Sequence, residues 1–489
     1  MFSTKTLYRK TQLPAIRKQR QMETYNKQIQ RIKNKLLEAK RADNKLKVFG
    51  AKRHKYYLNP PATPFEVSEF ERKFSIELPE CYTAFITQIG NGGNGYRNSA
   101  AGPFYGIYPL GKYIDELIYD NTEKYLKNDC MIYPKMTDEY WKSLTKNIID
   151  NDDISDEDYE KERGKIYAGI LPIGSQGCTY LHGIILNGQY KGRIVNLDVD
   201  YQKPKFAFEK NFLDWYERWL DEVISGELIK ETPSWFGYCK GGTEEELWTA
   251  YISSSDLDEK NDCFFGLLNK NKLKEETLNQ IEKLIDTDTD HKNILIQLIC
   301  KSDYGKAKKH LIGLIETDLL SIFQSVYWYA KDKSAEWLEV IESNIQRIED
   351  SETFRFCTYL LTETKEDFGK LILPFTKNSN EDIRITAFYT LGKLKNKKSY
   401  MDTFIEGLHD HSNRVVHTTL QALSGVKDGR LLEHYKILAE KFPVEQDYIL
   451  VNLNHRLAEY GLTNQTILNK NVAITTENVA KKKWYEIWK

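Results

Sequence analysis

The chain has 489 residues, of which 40% are hydrophobic and 29% charged, with a formal net charge of −1. That length predicts roughly two to four domains, and no apolar run reaches the roughly 18–20 residues that span a bilayer. The seven cysteines (Cys81, Cys130, Cys178, Cys239, Cys263, Cys300 and Cys357) are odd in number, widely spaced and never CxxC. This argues against a disulfide scaffold or zinc knuckle and predicts inert thiols in a reducing compartment.

The neutral balance hides an asymmetry. Residues 1–55 hold 17 Lys or Arg against 3 Asp or Glu, so the remainder of the chain is net acidic. The basic segment either meets an anionic partner or lies against the acidic part of its own chain. Residues 1–20 read as a basic tail. They lack the apolar stretch of a signal peptide, so the expected location is cytoplasmic, without membrane attachment. Residues 21–47 read as one basic amphipathic helix, with Tyr25, Ile29, Ile32 and Leu36 on one stripe.

After the break at Pro60-Pro61, Thr63 is placed to cap a helix with Pro64 at its first position and Glu66 at its third. Phe65, Phe70 and Phe74 supply its apolar spacing. Leu78-Pro79 opens a second helix, whose inner face is Tyr82, Phe85, Ile86 and Ile89 and which Gly90 ends. The glycine-rich loop Asn91, Gly92, Gly93 follows, and then PFYGIYPLG, which reads as a short strand. Residues 114–164 carry fifteen Asp or Glu against seven Lys or Arg. The densest part is Asp150, Asp152, Asp153, Asp156, Glu157 and Asp158.

Strand-like pieces follow at 167–174, 179–188 and 192–200, with Asn187-Gly188 as a hairpin signal. Phe212, Trp215, Trp219 and Leu220 mark a closing amphipathic helix. Helices, antiparallel strands and a helix make an α+β N-terminal domain, placed at 21–232. From 243 to 462 the pattern is helical throughout. Shifted by 32 residues, Ile383, Ala387, Phe388, Leu391 and Leu394 match Val415, Thr419, Leu420, Leu423 and Val426. Arg355 falls in an earlier, more divergent copy. One such unit cannot bury its own apolar face, so the expected fold is an all-α helical-repeat solenoid. Residues 463–489 read as a C-terminal tail, with Trp484, Tyr485 and Trp488 available to dock it.

FEVSEFERKFSIELPECYTAFITQIGNGGNG with PFYGIYPLG resembles the SUKH superfamily (SMI/KNR-type immunity domain). Leu78, Pro79 and Tyr82 match its helix entry and Gly90, Asn91, Gly92 and Gly93 its glycine turn. LPIGSQGCTYLHGIILNG, holding Gly177 and Cys178, matches its second block, and FLDWYERWL its final helix. The resemblance covers roughly residues 20–225. It implies a non-catalytic scaffold that binds and neutralises a cognate protein toxin, often a nuclease, with no cofactor. The 381–426 pair looks like HEAT repeats but lacks the usual proline of the first helix. The six acidic residues from Asp150 to Asp158 are the candidate partner-binding group, since an acidic surface can occupy a phosphate-binding active site. A solvated loop is the competing reading. The alternative functions are a regulatory scaffold, or a nucleic-acid-associated protein using the basic N-terminus.

Other chemical signals fail their templates. GNGGNG follows a helix rather than a strand and lacks GK[ST], so it is not a phosphate loop. DNDDISDEDYEKE and DTDTDH miss the glycine of a calcium loop. His409, His411 and His417 lack a nearby cysteine to complete a metal site. Cys178 and His182, four apart on a strand-like segment, read as structural rather than as a catalytic pair.

Overall fold

In the computed structural model, residues 25–230, 236–442 and 447–469 are described. The tail at 1–20 and the aromatic residues Trp484, Tyr485 and Trp488 lie outside the described residues. The chain divides into two compact units, residues 1–273 and 274–489. The helices Glu244–Ser253 and Leu257–Leu268, which the sequence groups with the helical array, fall in the first unit.

The first unit is built on a four-stranded antiparallel sheet, β1 (Ile170–Gly177), β2 (Tyr180–Ile185), β3 (Ile194–Asp198) and β4 (Lys205–Phe206), in that spatial order. The β2–β3 pairing joins Tyr180 to Asp198 and Ile184 to Ile194, which makes Asn187-Gly188 part of the intervening hairpin loop. PFYGIYPLG forms no full strand: it makes an isolated bridge between Ala100 and Ile107. Its Tyr105 and Tyr108 amides nevertheless donate to Ser175 and Ile173 carbonyls, so the segment covers the exposed edge of β1. A Cβ at Gly174 would stand 2.3 Å from the Gly106 oxygen, so this coverage requires a glycine there.

One face of the sheet packs under the helix Phe212–Ile224, whose Phe212, Trp215, Trp219 and Leu220 are all buried. The helix Glu80–Gln88 lies beside it: Tyr82 meets Phe212 at 5.2 Å and Phe85 meets Tyr216 at 4.7 Å. The opposite face carries the helices Asp138–Ile149 and Asp156–Ile166. Thr63 caps the helix Pro64–Phe74 with a complete capping box to Glu66, as its sequence predicts. Phe65 departs from expectation. It is 70% exposed, and Val67, with Phe70 and Phe74, forms the buried stripe at spacings of three and four.

The second unit is helical throughout its described residues. The helices Leu319–Tyr329, Ser351–Thr364, Glu381–Leu391 and Asn413–Ala422 stack successively. Their N-cap residues, Asp318, Asp350, Asn380 and Ser412, each accept a hydrogen bond from the first turn. Counted from those caps, one position holds Ser325, Cys357, Ala387 and Thr419, all small and buried where neighbouring helices meet. All ten residues of the shift-32 match are buried. Side-chain bonds across the stack join residues about one unit apart: Gln297 to Tyr329, Arg347 to Glu316, Asn396 to Asp367 and Arg414 to Glu381.

Candidate functional site

The residues of the glycine turn serve packing. Gly92 has φ +75, where a side chain is strained, and a Cβ there would lie 2.6 Å from Pro109. Gly90 is not left-handed; its Cβ would strike the Asn59 oxygen and Leu58 at 2.7 Å. Three of the turn's amides are already committed: Asn91 N–H donates to Pro60, Gly93 to Asn98 and Gly95 to Ser99. Asn91 Oδ1 accepts from Leu110 N–H at 2.7 Å. Three chain segments are joined here, and these donors do not face a ligand. Leu78 and Tyr82 are buried, and Pro79 stands at the N-cap position of the second helix.

Gly177 and Cys178 make the β1–β2 turn with φ +102 and +48. Cys178 is exposed while His182 is wholly buried, so no dyad forms. Burial pushes the His182 pKa down to about 3, leaving a neutral ring. That ring sits in a polar network: Nδ1 lies 3.1 Å from Asn196 Oδ1, Gln176 Nε2 donates to the same oxygen at 2.9 Å, and Tyr238 OH donates to Gln176. Asn196 Nδ2 also donates to the Lys205 and Gly237 carbonyls. The network ties Gly237 and Tyr238 to the sheet and is structural. All seven cysteines are free, and burial raises the Cys81 and Cys130 thiols to about 11.

The basic helix, described over 25–42, packs on its own unit. Ile29 and Ile32 are buried, and Tyr25 and Leu36 are half-buried. Gln28 Nε2 donates to Asp214 and Glu217, Arg31 donates twice to Glu217, and Lys35 donates to Glu217 and Asp221. The acids that answer this helix therefore come from the helix Phe212–Ile224. Lys27, Lys33, Lys40 and Arg41 remain exposed on its outer faces.

The acidic residues at 150–158 occupy a different place. Asp150 ends the helix Asp138–Ile149, Asp152 and Asp153 lie in the turn, and Asp156, Glu157 and Asp158 form the first turn of the next helix. Three carboxylates there complement the helix dipole, which gives the cluster a local structural cause. All six are exposed, and the ion pair made by the group is Asp158 with Lys161 at 4.0 Å. Arg163, 1% exposed, anchors this helix. Its Nε donates to the Leu117 carbonyl and its Nη1 to Tyr201 OH, with the Tyr119 ring at 4.0 Å. The acidic turn is thus held on a fixed support.

A groove of about 300 Å³ lies beside the helix entry. Its floor is Tyr25, Val67, Leu78 and Ala84, and Glu71, Glu77 and Glu80 stand on its rim. Sequence reasoning missed it, because Tyr25 reaches it from a distant helix. Glu71 Oε1 accepts from Leu78 N–H, and Glu77 faces Lys191 at 3.5 Å.

Among the described residues no group of three His, Cys, Asp or Glu could hold a metal, and no helix is long and apolar enough to cross a membrane. The three histidines singled out in the sequence have separate neighbours: His409 meets His434 at 2.8 Å, His411 meets Arg384, and His417 meets Tyr448.

Residues 61–218, about a third of the chain, match the family model of the SMI1 / KNR4 family (SUKH-1). The match runs from the helix carrying the capping box to the middle of the helix Phe212–Ile224, and so takes in the whole sheet. No curated protein matches the chain.

Proposed function

We propose that this chain, which carries a domain of the SMI1 / KNR4 family (SUKH-1), is a cytoplasmic toxin-immunity protein: a non-catalytic, stoichiometric binder of one protein toxin. The family match over 61–218 carries the reading. The charge layout supports its chemistry. The basic helix is answered within its own unit, while the carboxylates from Asp150 to Asp158 stay exposed on a rigid support. A toxin that handles phosphates has a positively charged active site, and an acidic surface steers towards it and occupies it. The second unit is a HEAT-like array that adds an extended binding surface.

The test is to express the tagged chain in its source cells, capture it, and identify what co-purifies in equal amount. One partner with a toxin-like C-terminal domain, whose activity the chain blocks one-to-one, supports the reading. A spread of housekeeping proteins would sink it and favour a regulatory scaffold. The exposed Lys27, Lys33, Lys40 and Arg41 favour nucleic acid as a second reading. Salt-sensitive retention on DNA that is lost when these four are changed to Glu would select it.

A further inference from the structure

We propose that the helical array binds an acidic, apolar-bearing segment of a partner protein along a ladder of tyrosines. This goes beyond the immunity reading, because the array lies outside the residues matched to the family. Counted from the N-caps, the same position of three successive helices holds Tyr327, Tyr359 and Tyr389. A cavity of about 470 Å³ runs across these helices and is lined by all three rings. Tyr327 and Tyr359 lie 5.0 Å apart, and Tyr389 is 50% exposed.

Burial in the stack does not require tyrosine here, since the small and aliphatic positions beside it already fill the core. Large, rigid rings with a polar tip, held on packed helices, are the side chains that dominate protein-binding surfaces. The charges choose the partner. Glu363, the acid lining the groove, is answered by Lys331 at 2.8 Å. Lys393 sits 4.6 Å over the Tyr389 ring and has no acidic partner among the described residues, while Arg355, paired with Glu352 at 3.6 Å, is itself exposed. The unanswered charge is positive, so the complementary segment carries Asp or Glu beside aliphatic or aromatic side chains.

The test selects short random peptides displayed on phage against the full chain. Enriched peptides combine Asp or Glu with Leu, Phe or Trp. They bind at least about tenfold more weakly to Tyr359→Ala with Tyr389→Ala, and retain binding when both become Phe, which keeps the ring. Lys393→Glu, an exposed change, weakens binding as well. It keeps the proposal testable if the double alanine variant loses its helical circular dichroism. Absence of enrichment, enrichment of basic peptides, or equal binding to a folded double alanine variant would overturn the proposal. So would displacement of the peptides by single-stranded DNA, which would reassign the ladder to base stacking.

Discussion

Arg31 Nε lies 2.9 Å from Glu217 Oε1, a contact that crosses 186 residues of chain. Glu217 also accepts from Gln28 and Lys35, so one carboxylate fastens the N-terminal helix to the helix Phe212–Ile224. Glu217→Ala takes both acceptors from Arg31 and one of the two from Gln28 and from Lys35, and lowers stability by about 1–3 kcal/mol. Urea midpoints of variant and parent measure this. Burial pushes the Glu217 carboxyl up, but the hydrogen bonds from Arg31, Lys35 and Gln28 outweigh it and hold the pKa below the usual carboxylate value. The resulting stability is present above the unfolded pKa and is lost as pH falls through the folded one. Glu217→Gln therefore flattens the acid limb of the stability curve, and an unchanged limb would show that the carboxylate is not charged in the fold.

His182 and His54 act in the same direction for another reason. Burial lowers them to about 3 and about 4. The unfolded chain takes up protons near pH 6.5 that the folded chain refuses, so stability falls as pH drops from about 6.5 towards those values. The first unit should lose stability between pH 7 and pH 4, and His182→Asn should reduce that slope. Chemical denaturation at several pH values checks both.

Gly92→Ala places a methyl 2.6 Å from Pro109 at φ +75 and should cost about 1–3 kcal/mol. Gly188 has a similar φ of +69 with nothing within 4 Å, so Gly188→Ala carries the backbone strain alone, about 1 kcal/mol. The difference in midpoint between the two variants measures the packing role of the turn. Equal losses would refute it.

Asp152→Lys with Asp153→Lys and Glu157→Lys changes exposed side chains and should move stability by less than about 1 kcal/mol. If the acidic turn steers a basic partner, the same triple change slows association about tenfold or more at low salt, and the gap narrows at high salt. Stopped-flow mixing with the captured partner measures it. A rate that ignores the substitutions removes this turn from the interface.

In the array, Arg384 is 4% exposed and donates from Nε and Nη2 to Asp410, and from Nη1 to the Asn378 and Ser379 carbonyls. Arg384→Ala takes its guanidinium from a half-buried carboxylate and from two carbonyls and should cost about 3–5 kcal/mol. Because each unit touches mainly its neighbours, the loss should appear as early melting of the helices around 381–422. Hydrogen exchange localises it; uniform loss of protection across the second unit would contradict nearest-neighbour stacking.

The sequence revealed what is local. Thr63, Pro64 and Glu66 lie within one turn, and their capping box needs no tertiary partner. The shift-32 match was visible because its core residues are alike in type. The copy at Asp350, which holds Arg355, reads only as divergent and the one at Asp318 is hidden, because the spacing changes from 32 to 30 and one position holds Ile322, Phe354, Arg384 and Val416 in turn. β4 is two residues long and has no period to detect. The destination of the basic helix was left open, because charge alone does not say which distant acids will meet it. The acidic turn was found, while the groove beside Leu78 depends on Tyr25 arriving from another part of the chain.

The clasp on Glu217 also sets an order of events. A ribosome adding about 5–20 residues per second takes roughly ten to forty seconds to pass from the end of the basic helix to the end of its acceptor helix. During that interval the helix of 25–42 is already synthesised, while the carboxylates that pair with Arg31 and Lys35 are still to come. Nascent chains stalled before residue 212 should therefore be the species on which chaperones and proteases act, whereas the array, with bonds that span about one unit, can assemble as it emerges.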